Sequence, residues 1–209
     1  MTDLVSGRYG AYDPMWLIFG KPNNAKQSNI PARSNIWEQK LTGVSDGALA
    51  GTEEGTLVAV PVQEGDIYTK VTYLVGGTGG TECEAGFVAL YAGKKTGKLL
   101  AQSKSKKYTT QVEAGKPCVL ELEKEVQISS ENAPNGFIYV VLVIEAPTGG
   151  SGVIPTVVSS SVPKACQYSW FTNTPEVLTG TVGTGLKTTA EATLGSVTSK
   201  AVAPIVFLQ

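Results

Sequence analysis

The chain has 209 residues, of which 42% are hydrophobic and 17% charged, and its formal net charge is -1. This composition is sufficient for a folded core, and the near-zero charge argues against a general nucleic-acid binder, which carries a basic excess. Histidine is absent, which excludes Ser-His-Asp and Cys-His catalysis and the commonest metal ligand, so we expect no enzyme activity, cofactor or metal.

Residues 1–56 are rich in Gly, Asn, Pro and Ser but contain a cluster of large apolar side chains. Such a segment does not form its own core, although it can bury its apolar groups on another surface. Two arrangements remain open: the segment packs on its own domain, or it is an extended N-terminal arm that docks on a neighbouring molecule. The residues that we assign to docking are Tyr9, Tyr12, Trp16, Phe19, Ile36 and Trp37.

From residue 57 onward, short apolar or alternating runs are separated by Gly, Pro, Asn and Ser. The first run is "LVAVPVQ", in which Pro61 suggests an edge strand or a bulge. The second is "IYTKVTYLV", where the two-residue period predicts a strand with every second residue from Ile67 to Val75 on one face.

The stretch "GFVALYAGKKTGKLLAQS", residues 86–103, has the look of a phosphate-binding loop. A Walker A loop requires G-x-x-x-x-G-K-[ST] at the start of a helix. Here the spacing is one residue short, Leu99 replaces the hydroxyl residue, and the strand-like "LLAQS" follows. The sequence therefore predicts a β-hairpin, with Gly93 and Gly97 bracketing a turn that needs glycine at positive φ.

Lysines flank the second strand of this hairpin on both sides. They either protect a solvated sheet edge against strand addition or form an electropositive patch for an acidic partner surface. As candidate partner-binding residues we take Lys94, Lys95 and Lys98.

The remaining runs are "CVLELE", "GFIYVVLVIE", "TVVSSS", "QYSWF" and "VAPIVFLQ". In the first of them Cys118, Leu120 and Leu122 point inward, with Glu121 and Glu123 outward. No segment of useful length has a helical period. Many short strands at near-regular spacing predict an all-β fold, an antiparallel β-sandwich of jelly-roll type over residues 57–209.

Other features carry no specific chemistry. The cysteines lack C-x-x-C spacing, which predicts reduced thiols rather than a zinc site. No charged-then-apolar signal pattern opens the chain, and the run "FIYVVLVI" is too short for a membrane-spanning helix, so we expect a soluble protein without a membrane partner. Aromatic residues that could form a sugar-binding platform are Tyr108, Tyr168, Trp170 and Phe171.

The order of elements resembles the β-sandwich structural proteins of tailed phages of actinobacteria, which are minor tail, minor capsid or decoration proteins. The likeness rests on "LVAVPVQEGDIYTKVTYLVGGTGG", on the hairpin "GFVALYAGKKTGKLLAQS", on "VQISSENAPNGFIYVVLVIEAPTGGSGVIPTV" and on "ATLGSVTSKAVAPIVFLQ". It covers residues 57–209. The acidic residue that usually follows A-L-Y in that turn is absent here, so the charge of this surface does not transfer.

This resemblance implies a virion structural protein, a capsid decoration or minor capsid protein, assembled in the cytoplasm of a host bacterium. The implied partners are the major capsid protein or other virion proteins, together with further copies of the chain as a homo-oligomer such as a trimer, and no nucleic acid. The alternative is a minor tail protein or a receptor-binding β-sandwich module that binds a surface glycan.

Overall fold

The computed structural model describes residues 33–34, 44–48, 54–80, 86–104, 113–144, 153–161, 177, 179–183 and 189–209. Within these ranges every regular element is a β-strand and no helix occurs, which confirms the all-β prediction. The strand pairs that the structure describes are all antiparallel.

The described strands form three sheets. Their orders are β11-β10-β3-β8-β5-β6, β1-β13-β4-β7 and β12-β9-β2. The strands are β1 (Arg33–Ser34), β2 (Val44–Ala48), β3 (Gly55–Pro61), β4 (Ile67–Leu74), β5 (Gly86–Ala92), β6 (Leu99–Gln102), β7 (Pro117–Gln127), β8 (Phe137–Ile144), β9 (Thr156–Ser161), β10 (Thr179–Val182), β11 (Val197–Ser199), β12 (Val202–Pro204) and β13 (Val206–Leu208).

Strand β8 lies between β3 and β5 and supplies side chains to two apolar cores. Ile138, Val140 and Leu142 enter the first core, which combines residues of the six-stranded and four-stranded sheets. Phe137 and Tyr139 belong to the second core, on the opposite face of the six-stranded sheet. Because successive side chains alternate between faces, a strand buried on both sides is apolar throughout, as "FIYVVLVI" is.

The two-residue alternation predicted for β4 is interrupted at Thr69. The register with β7 shifts between Tyr68 and Lys70, and the N–H groups of Thr69 and Lys70 donate to one carbonyl, that of Gln209, at 2.7 and 2.9 Å. A β-bulge inserts one residue and exchanges the faces of the strand. Tyr68 is therefore buried while Ile67 is 42% exposed, and the prediction of unbroken alternation is wrong.

In β7 the predicted alternation is confirmed. Leu120 is buried and its neighbours Cys118 and Leu122 are half-buried, whereas Glu121 and Glu123 are exposed. Cys118 is a free thiol.

Two prolines end strands. Pro61 is the last residue of β3, which is an interior strand. The pairing of β3 with β10 stops at Val58, so this proline does not interrupt the hydrogen bonds between these two strands. Pro204 ends β12, after which the N–H of Ile205 donates to the carbonyl of Val158 at 2.9 Å. The single strand predicted over "VAPIVFLQ" is thus divided between two sheets.

Residues 189–209, here named the closing segment, contact all three sheets. Strand β11 pairs with β10, β12 pairs with β9, and β13 lies between β1 and β4. Ahead of these strands, the N–H of Ala190 donates to Gln102 Oε1 at 2.8 Å.

Two strands come from the predicted arm, residues 1–56. Strand β1 pairs with β13, and β2 pairs with β9. Strand β3 begins at Gly55, close to the predicted boundary at residue 57. The proposed docking residues Tyr9, Tyr12, Trp16, Phe19, Ile36 and Trp37 lie outside the described residues, so their role stays a prediction.

We expect the buried hydroxyl of Thr179 to stabilise the junction of β10 with β3 and β12. Thr179 is 1% exposed, and its Oγ1 lies 3.2 Å from the carbonyl of Leu57 and 3.0 Å from that of Val202. Thr179→Val keeps the shape but removes the donor, and should lower the free energy of unfolding by about 1–2 kcal/mol in urea titration. Thr198→Val, at an exposed position of β11, is the matched control and should change it by less than about 0.5 kcal/mol. Equal effects of the two changes would contradict a role for the Thr179 hydroxyl.

Candidate interaction surface at the lysine-rich turn

The predicted hairpin is confirmed, because β5 and β6 pair antiparallel with Leu90 opposite Ala101. Residues 93–98 connect the strands and are named here the lysine turn. A strand, β6, follows the second glycine. A phosphate loop would require the beginning of a helix at this point.

Three backbone N–H groups of the lysine turn, including those of both glycines, donate to carbonyls inside the protein. Gly93 donates to the carbonyl of Asn132 at 2.9 Å, Lys94 to that of Ala92 at 2.8 Å, and Gly97 to that of Lys94 at 2.8 Å. A phosphate site needs such groups free and directed at the ligand. The turn therefore has the hydrogen bonds of a hairpin connection.

The glycines of the turn are required by space, not by positive φ. A Cβ atom at Gly93 would lie 1.9 Å from the carbonyl oxygen of Phe137, and one at Gly97 would lie 2.0 Å from that of Ala92. Neither is among the described glycines with positive φ. The expectation of positive φ is wrong for both, because close backbone packing is what excludes a side chain here.

The lysine turn is held from two sides. On one side, Asn135 Nδ2 donates to the carbonyl of Gly93 at 3.1 Å. On the other, the closing segment bonds to the turn and to β6: Leu194 N–H donates to Gly97 at 2.8 Å, and Leu99 N–H donates to Ala192 at 2.9 Å. The turn is thereby fixed to both the loop before β8 and the closing segment.

The three lysines predicted to bind a partner lie together on this fixed turn. Lys94, Lys95 and Lys98 are all exposed. In the part of the chain that the structure describes, none of them forms an ion pair; the salt bridges there are Lys70–Glu121, at 3.3 Å, and Lys116–Glu113. Three cations with no ion-pair partner among the described residues therefore concentrate positive charge on this turn.

A cleft of about 470 Å³ adjoins the turn. Lys95 and Thr96 line it from the turn and Ser196 from the closing segment, while its apolar lining includes Leu194 and Val197. Tyr139 of β8 also lines the cleft. The sequence did not predict this cleft, because its walls come from segments far apart in the chain and no motif marks their meeting.

Tyr91 connects β5 to the closing segment beneath this surface. Its hydroxyl donates to the carbonyl of Glu191 at 3.0 Å. Burial, with the nearby Glu191 carboxylate as a second cause, raises the pKa of Tyr91 to about 12.

The other candidate groups do not converge on a site. Glu121 is paired with Lys70, and Glu123 lies on the same exposed face of β7. Among the described residues, no three His, Cys, Asp or Glu side chains are placed to bind a metal ion. The described part of the chain contains no helix long and apolar enough to cross a membrane. The sugar-platform candidates Tyr108, Tyr168, Trp170 and Phe171 lie outside the described residues.

Comparison with known proteins adds no family. No protein-family model matches the chain, and no curated protein is significantly similar to it. The likeness to phage structural proteins therefore rests on strand order and short motifs alone.

We expect Gly93→Ala to destabilise the protein because its methyl group would meet the carbonyl of Phe137. Backbone on both sides must move, and we expect a loss of about 1–3 kcal/mol in the free energy of unfolding, measured in urea. Gly195→Ala is the matched control, since a Cβ there has no neighbour closer than 3.8 Å. If the two variants were equally stable, close packing would not explain Gly93.

Tyr91 should make stability fall at alkaline pH. In the unfolded chain this tyrosine titrates near its ordinary pKa of 10.0, but in the folded protein near 12. The neutral form is therefore favoured by folding, and its contribution is complete below pH 10 and is lost between pH 10 and 12. In urea titrations from pH 9 to 11.5, Tyr91→Phe should show a shallower decline than the unsubstituted protein, and Glu191→Gln an intermediate one. Identical pH dependence in all three proteins would contradict this assignment.

Proposed function

We propose that this protein is a structural component of a bacteriophage virion, most simply a capsid decoration or minor capsid protein. In this proposal the sheets form an antiparallel β-sandwich of jelly-roll type, and residues 1–56 include the arm that anchors it to the particle. Its partners are the major capsid protein or other virion proteins, with copies of the chain grouped about a symmetry axis.

The observation that carries the proposal is the resemblance in strand order and motifs. The quoted segments fall on described strands: the opening pair on β3 and β4, the hairpin on β5 and β6, the long apolar run on β8, and the last run on β12 and β13. A fold alone does not specify function, so the proposal depends on these motifs and not on β-structure in general.

The proposed sandwich, in which the six-stranded and four-stranded sheets are the two layers, is supported by the composition of the first core. Val58 and Leu90 of the six-stranded sheet belong to one apolar cluster with Tyr73, Leu120 and Val206 of the four-stranded sheet. Inner faces that share a core in this way are typical of sandwiches.

The anchoring role of the arm is supported by its sequence. Tyr9, Tyr12, Trp16 and Phe19 are large apolar side chains in a polar segment, and aromatic groups are common anchors of protein interfaces. They precede β1 in the sequence, so none of them belongs to a described strand.

The aromatic anchor is tested with phage particles that lack this protein. Tyr9, Tyr12, Trp16 and Phe19 are replaced together by Ser, and co-sedimentation with the particles is compared with that of the full unsubstituted chain. We expect at least a tenfold loss of binding, since interface aromatics each contribute roughly 1 kcal/mol or more. Urea titration checks that the sheets keep their stability, and Lys116→Gln, on an exposed turn, serves as a control. Undiminished loading of the stable Ser variant would refute the anchor.

Copy number separates a capsid from a tail location. We expect quantitative mass spectrometry of purified virions to find this chain in proportion to the major capsid protein. A proportion matching tail-tip proteins would instead support the minor tail alternative, and absence from purified virions would refute the virion role.

A further inference from the structure

We propose that the cleft beside the lysine turn binds an acidic peptide segment of a partner protein, with one apolar side chain inserted and carboxylates facing the lysines. This site is separate from the proposed arm, and the inference does not require the virion role. Three features of the surface indicate what binds there: the charge of the turn, the shape of the cleft, and the rigidity of both.

The charge of the turn indicates that the peptide carries carboxylates on either side of its inserted side chain. Lys94, Lys95 and Lys98 are exposed on one short turn, and none of them has an ion-pair partner in the part of the chain that the structure describes. Lys70 and Lys116 have carboxylate partners, whereas Lys104, Lys124 and Lys200 have none among the described residues. The turn is therefore distinguished by the closeness of its three exposed cations in the chain, and an acidic segment would bring counterions to all three together.

The shape and lining of the cleft indicate that the centre of the peptide is an apolar side chain. The volume of about 470 Å³ falls within the range of pockets that hold small ligands, about 300–1,000 Å³. Its lining combines Leu194 and Val197 with the hydroxyls of Thr96 and Ser196. Such a cleft has room for an apolar side chain together with the peptide backbone on either side of it, to which the hydroxyls can hydrogen-bond.

Rigidity makes this surface suitable for recognition. Close packing of Gly93 on the carbonyl of Phe137 fixes one end of the turn, and the Leu194 N–H bond to Gly97 fixes the other. The turn and the cleft wall are thus hydrogen-bonded to each other. Little conformational entropy is lost when such a preformed surface binds a ligand.

A peptide fits better than a nucleic acid. Nucleic-acid sites follow the phosphate backbone along an extended basic groove with exposed aromatic stacking surfaces. Here Tyr139, the aromatic residue of the cleft, is only 1% exposed.

The test uses the full chain and a capped heptapeptide, Glu-Asp-Glu-Leu-Asp-Glu-Asp, with binding measured by calorimetry and NMR chemical shifts at low salt. The matched peptide Gln-Asn-Gln-Leu-Asn-Gln-Asn removes charge and keeps size. We expect the acidic peptide to bind, to shift the resonances of Thr96 and Ser196, and to weaken as salt is added. The amide peptide should bind at least tenfold more weakly.

Two protein variants separate local recognition from overall charge. The triple change Lys94→Gln, Lys95→Gln and Lys98→Gln should weaken binding about tenfold. The control triple Lys70→Gln, Lys116→Gln and Lys124→Gln alters the net charge equally and should leave binding within about twofold. Ser196→Trp, which occupies the cleft, should also abolish binding if the protein keeps its stability in urea.

Three results would overturn the proposal. One is equal binding of the acidic and amide peptides. Another is equal weakening by the two lysine triples. The third is tighter, Lys94-, Lys95- and Lys98-dependent binding of a single-stranded oligothymidine, which would assign the turn to phosphate recognition. Loss of particle loading in the arm variant is a separate result and has no bearing on peptide binding.

Discussion

The burial of β8 on both faces constrains the rest of the structure. Ile138, Val140 and Leu142 fill the first core, the odd-numbered residues of the strand fill the second, and β8 pairs with β3 and β5 along its length. This strand also determines the candidate surface, because the carbonyl of Phe137 packs on Gly93 and Tyr139 lines the cleft. Any displacement of β8 would therefore disturb the cores and the lysine turn together.

The closing segment extends this constraint to all three sheets. It bonds to the lysine turn through Leu194, to β10 through β11, to β9 through β12, and to β4 through β13. Most of these bonds join parts of the chain that are far apart in sequence, so the walls of the cleft beside the turn depend on long-range contacts rather than on local sequence.

The sequence predicted features that depend on neighbouring residues and missed those that depend on tertiary contacts. The hairpin of β5 and β6 was found because both strands and their glycines are local signals, and β8 because its apolar run is continuous. The bulge at Thr69 depends on the distant Gln209, and the tight packing of Gly93 depends on Phe137. Likewise, the candidate lysines were identified from the sequence, but the cleft beside them required Leu194 and Val197 to be brought alongside.

The conformation of the lysine turn does not depend on the charge of its side chains, and this independence bears on its function. Its shape is fixed by glycines and backbone hydrogen bonds, in which the lysine side chains take no part. Exposed ammonium groups with no ion-pair partner among the described residues add little to folding stability. The described packing does not require a charge at positions 94, 95 and 98, so three lysines there are better explained by what the surface meets than by what the fold needs. That reasoning favours a recognition role over simple edge protection. The edge of β6 is already partly covered, because the N–H of Leu99 donates to Ala192 of the closing segment and Ser103, just after β6, forms a β-bridge with Leu122 of β7.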